Sequence, residues 1–241
     1  MVHLMMALLL TASDAYVFPT QPGTPAWRAL DSRQEMLAVC QIPEERLKKM
    51  STRGLVKTTL DYPMFADMLA HTSMQKGFDS VASGFNGLRE LMGRRDAARV
   101  LLAQYRRLDP ADLKKTWTLE QVGQHASRFV YLEALLAQDT ILSKLTTSEL
   151  RTLLSEAFET SRIKRAHDDT YGALGQGSTL WLMGRVLVAS GSVGFQQQVR
   201  ENQDLQKFLE TGIFDEKSAP ALEEIVRYTQ QTLSRSTDKK R

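Results

Sequence analysis

With 241 residues, 42% of them apolar, the chain carries enough apolar side chains to bury a sizeable core, which excludes disorder over most of its length. Its 31 Lys and Arg stand against 28 Asp and Glu, a formal net charge of +3, so the balance argues against nucleic acid as a partner recognised by bulk charge. A single cysteine, Cys40 in MLAVCQIP, excludes an intramolecular disulfide, and its apolar neighbours point to a small buried thiol.

In chain order, an uncharged run from Leu4 to Ala12 precedes a small-x-small pattern at Ser13, Asp14 and Ala15. This is the pattern of a signal peptide over residues 1–15 and predicts an exported protein, periplasmic or extracellular. The run is far shorter than the roughly 20 residues needed to cross a bilayer, and no later segment qualifies. Tyr16 to Pro25, YVFPTQPGTP, predicts an extended lead-in pinned by Tyr16 and Phe18.

Helical spacing begins near Trp27 or Ser32 and continues through PEERLKKM, acids first and bases last, as the helix dipole favours. Ser51 or Thr52 is placed to cap a helix with Leu55, Val56 and Leu60 inward. Met64, Phe65, Met68 and Leu69 read as the next inward stripe, then Phe78, Val81, Ala82 and Phe85. Asn86 reads as the cap of GLRELMG, and Asp96 opens a helix with Leu101, Leu102 and Tyr105 inside.

Thr118 with Gln121, and Thr146 with Glu149, have the spacing of capping boxes that open two longer helices. HDDTYGALGQG, from His167 to Gly177, reads as a Gly-rich loop interrupting the second half. After it, STLWLMGRVLVAS is the most apolar helix and is predicted to be central. Shorter helices follow near Phe195 and Leu205, and a last amphipathic helix near Ala219 to Leu233. No period-two alternation persists, so no strand is predicted. The expectation is one all-α domain over residues 16–234, either an irregular α-solenoid of HEAT-like antiparallel pairs or a globular helical array, with residues 235–241 as a disordered basic tail.

The stretch CQIPEERLKKMSTRGLVKTTLDYPMFADMLA, with GFDSVASGFNGLRELMGRRDAARVLL after it, resembles uncharacterised exported bacterial helical proteins with a CQIP…MST…L.YP…FNGL pattern. The resemblance covers most of residues 16–110 and implies export and a helical fold; it carries no activity or functional residues.

No nucleotide loop, metal cluster or catalytic triad is spelled out locally, so neither a cofactor nor a metal ligand set is predicted. The main candidate cluster is His167, Asp168, Asp169 and Tyr171, with Asn86 and Arg89 as one wall of the same site. His71 and His125 read as satisfied polar groups on helix surfaces, and the basic doublets, with Arg162, Lys164 and Arg165, as solvated charge. The functional expectation is a non-catalytic module binding a protein or peptide. The alternative is a hydrolase whose acids and histidine converge around the His167–Gly177 loop.

Overall fold

The computed structural model describes residues 14–213 and 219–234. The expected signal peptide and basic tail therefore fall almost wholly outside the described residues. Among these, the secondary structure is helical throughout, without a strand. In order come α1 (Pro25–Arg28), α2 (Arg33–Val39), α3 (Glu44–Lys49), α4 (Thr52–Leu60), a 3-10 helix (Phe65–Ala70), α5 (Met74–Gly84), α6 (Asn86–Gly93) and α7 (Ala97–Tyr105). The second half holds α8 (Leu119–Leu136), α9 (Asp139–Leu142), α10 (Thr147–Ala166), α11 (Asp168–Ala189), α12 (Val193–Glu201), α13 (Gln203–Thr211) and α14 (Ala219–Ser234).

Several starts follow from local chemistry. Ser51 Oγ accepts from the Gly54 amide and caps α4, and both predicted capping boxes form at α8 and α10. The lead-in is pinned as expected: Phe18 is buried, and the Tyr16 amide donates to Thr58 Oγ1 at 2.8 Å. Asp14 is also part of the fold. Its carboxylate accepts from the Ser51 amide at 2.5 Å and the Ser51 hydroxyl at 2.8 Å, so a processing boundary after residue 15 would remove that anchor.

Two local expectations are corrected. Leu69 is 39% exposed, because its segment is a 3-10 helix whose three-residue turn puts Phe65 and Met68 inward and carries Leu69 out. Asn86 and Asp96 do not cap with their side chains. Asn86 instead holds both backbone groups of Ile42, and Asp96 accepts from the Thr52 hydroxyl.

The core forms around α11, whose stretch from Ser178 to Gly184 is wholly buried. It packs against α8, α9, α10, α12, α13 and α14, while α8 reaches back to α4, α5 and α7. The two halves also meet through α5 with α13 and α7 with α10. In a solenoid each pair touches only its neighbours. Contacts between helices so far apart in sequence make this a globular helical array, the second of the two architectures expected.

Candidate functional site

The segment expected as a loop is helical from Asp168 to Gly177, with His167 as the junction residue between α10 and α11. Its backbone breaks at one residue, Gly172, with φ 49° and ψ −165°, a conformation open to glycine and strained for other residues. Asp168 and Asp169 occupy the first turn of α11, where a negative charge suits the helix dipole. Both are exposed, and Asp168 Oδ1 accepts from Gln176 Nε2 at 2.6 Å. The His167 carbonyl accepts from the Thr170 and Tyr171 amides. Tyr171 alone points inward. It is 4% exposed, its hydroxyl donates to the Pro110 carbonyl at 2.7 Å, and its ring stands edge-on to Phe129.

Asn86 and Arg89 belong to another junction. The Ile42 amide donates to Asn86 Oδ1 at 3.0 Å, Asn86 Nδ2 donates to the Ile42 carbonyl at 2.7 Å, and Gln41 Oε1 accepts from the Asn86 amide. Arg89 donates to the Ser83 carbonyl at 2.6 Å. These bonds tie α6 to the α2–α3 turn and to the end of α5, whereas His167, Asp168 and Tyr171 organise the α10–α11 junction. Among the described residues no group of three or more His, Cys, Asp or Glu is placed to hold a metal ion.

The densest polar cluster was not foreseen. Glu133 on α8 and Lys164 on α10 form an ion pair with both side chains 0% exposed, Lys164 Nζ lying 2.9 Å from each carboxylate oxygen. Nζ also donates to the Gly175 carbonyl and to Thr179 Oγ1, both at 2.9 Å. The carboxylate further accepts from the hydroxyls of Tyr105, Ser178 and Thr179. The rings of Phe129 and Tyr171 face Nζ at 4.8 Å and 5.4 Å.

Burial drives the Lys164 pKa down while the Glu133 charge opposes it, and burial pushes Tyr105 well above its ordinary value. The arrangement is satisfied in every direction and closed to solvent. As folded it locks α7, α8, α10 and α11 together and presents no reacting atom to a substrate. The sequence reading of Lys164 as solvated basic charge is therefore corrected. Other basic residues are engaged at the surface: Lys48 and Lys49 pair with Glu44 and Glu45, and Arg106 with Glu156.

His125 departs from expectation too. It is partly buried, its ring 5.2 Å from Trp117 and 5.4 Å from Phe129, and its Nε2 has no hydrogen-bond partner among the described residues. Burial pushes its pKa below 6.5, Asp112 and Asp109 pull the other way, and Arg128 adds to the lowering. Cys40 is buried as predicted, and burial pushes its thiol up to about 11. That leaves little thiolate for nucleophilic chemistry near neutral pH.

A roomy open recess, a groove of about 960 Å³, lies between the start of α10, the α11–α12 turn and the end of α14. Leu150, Leu154, Val193 and Tyr228 give it apolar surface, and Ser148, Ser192, Gln231 and Thr232 give it neutral polar groups. Gly191, at φ 73°, makes the tight turn that brings α12 back beside α11. Among the described residues Arg151 is its one charged lining residue, and no His, Cys, Asp or Glu lines it. No sequence motif marks it, because its three walls are brought together only by folding.

No described helix is long and apolar enough to cross a membrane. No family model, curated protein or solved structure matches the chain.

Proposed function

We propose that this chain is a non-catalytic binding module, exported, that takes an extended segment of a protein or peptide partner in the groove between α10, the α11–α12 turn and α14. One observation carries the reading: among the described residues no His, Cys, Asp or Glu lines the roomy recess, while the Glu133–Lys164 cluster is sealed inside. A volume near 960 Å³ is at the upper end of what binding pockets span, about 300–1,000 Å³. Val193, 75% exposed at the rim, supplies apolar surface without a core role. Export rests on the apolar run Leu4–Ala12, and is tested by the cell fraction and N-terminal mass of the mature protein.

The binding reading is tested by selecting displayed random peptides against the full chain. Each recovered peptide is then measured on the parent and on Val193→Arg, with circular dichroism as the folding control. Recovered peptides should bind Val193→Arg at least about tenfold more weakly, a loss near 1.4 kcal/mol. Recovery of no binder, or of binders indifferent to Val193→Arg, overturns the reading.

A further inference from the structure

We infer that the groove selects an acidic segment, an extended stretch of a partner protein rich in Asp and Glu; this rests on the binding reading above. The argument is charge complementarity. Among the described residues Arg151 is the one charged side chain in the lining, and it is exposed, donating to the Leu233 carbonyl at 2.9 Å. Two acids on the same helices are already engaged. Glu149 accepts from the Thr146 amide and hydroxyl and pairs with Arg99, and Glu224 pairs with Arg227.

Backbone charge has the same sign. Thr147 and Ser148 belong to the first turn of α10, and Ser192, Val193 and Gly194 to the start of α12, so two positive helix ends border one recess. At α10 the capping box already uses part of that potential, but the Ser192 side chain makes no capping bond at α12. A basic partner would meet like charge at Arg151 and at these helix ends, and a neutral one would gain nothing from them.

Binding is measured by fluorescence anisotropy on the full chain with three labelled peptides of one length, built on Asp/Glu, Ser/Gln or Lys. The acidic peptide should bind at least about tenfold more tightly than the other two and weaken as salt is raised. Arg151→Glu should reverse the order of acidic and basic peptides, and Arg151→Gln should remove most of the preference while keeping the fold. Groove binders that lose affinity on Val193→Arg but ignore peptide charge and both Arg151 variants overturn the acidic preference and leave the binding reading standing. If Val193→Arg affects no peptide, the binding reading falls with it. An oligonucleotide of equal charge that binds more tightly than the acidic peptide also overturns the inference, in favour of a polyanion surface.

Discussion

Replacing Lys164 by Met removes the cation paired with the buried Glu133 carboxylate while preserving much of the side-chain volume. Glu133 keeps the hydroxyls of Tyr105, Ser178 and Thr179 but stays 0% exposed, so its charge is left uncompensated. Breaking a buried pair in this way costs about 3–5 kcal/mol. Glu133→Gln leaves the Lys164 ammonium without its counter-charge and is expected to cost a similar amount. The double variant Glu133→Leu, Lys164→Met behaves differently. Ser178 and Thr179 still reach the Gly175 carbonyl, at 3.2 Å and 3.1 Å, whereas the Tyr105 hydroxyl loses the Glu133 acceptor. With both charges gone and two of the three hydroxyls still paired, the double variant should fall within about 3 kcal/mol of the parent, since paired charges and well-packed apolar residues are often nearly equivalent and one buried hydroxyl without an acceptor costs about 1–3 kcal/mol. The assay is urea unfolding at pH 7 followed by circular dichroism and tryptophan fluorescence, against a total stability of about 5–15 kcal/mol for a domain of ordinary kind. Single variants costing less than about 1 kcal/mol, or a double variant whose loss equals the sum of two large single losses, would refute the lock.

Three further outcomes follow from the same geometry. Asn86→Ala strips the Ile42 amide and carbonyl of their partner and should lower stability by about 1–3 kcal/mol, whereas Arg89→Ala, on an exposed side chain, should change it by less than about 0.5 kcal/mol. Gly172→Ala forces a Cβ onto φ 49°, ψ −165° and should cost about 1–3 kcal/mol by the same unfolding assay; a neutral or stabilising effect would contradict the break in α11. His125 has a folded pKa below its unfolded 6.5, so its contribution to stability is full above pH 6.5 and is lost as pH falls through the folded value. Urea midpoints of the parent should therefore drop from about pH 6.5 downward relative to His125→Asn, and parallel pH profiles would contradict the burial of its ring.

Features whose cause is local were legible in the sequence. The Ser51 cap, both capping boxes and the buried helix from Ser178 onward follow from neighbouring residues and helical spacing. HDDTYGALGQG read as a loop because glycine weakens a helix by about 1 kcal/mol per residue relative to alanine. Here tertiary bonds win: Tyr171 is anchored to Pro110, and the Gly175 carbonyl takes a hydrogen bond from Lys164. Lys164 itself follows Ala157, Thr160 and Ser161 at helical spacing on the buried side of α10, as Glu133 follows Phe129 on α8. The period placed both inside, and their charge made them look solvated. Asn86 looked like a cap because its partner Ile42 is 44 positions away, a separation that no local pattern reports. The same reason hides the groove, whose walls come from residues 147–154, 190–194 and 228–232.

Hydrogen exchange on the full chain, with and without a saturating concentration of the tightest selected peptide, tests the binding reading most directly. The groove account predicts slower exchange confined to those three segments, together with the amides at the start of α12. Protection mapping to the α5–α6 junction or the His167–Tyr171 turn instead, or unchanged exchange at all three walls, would contradict it.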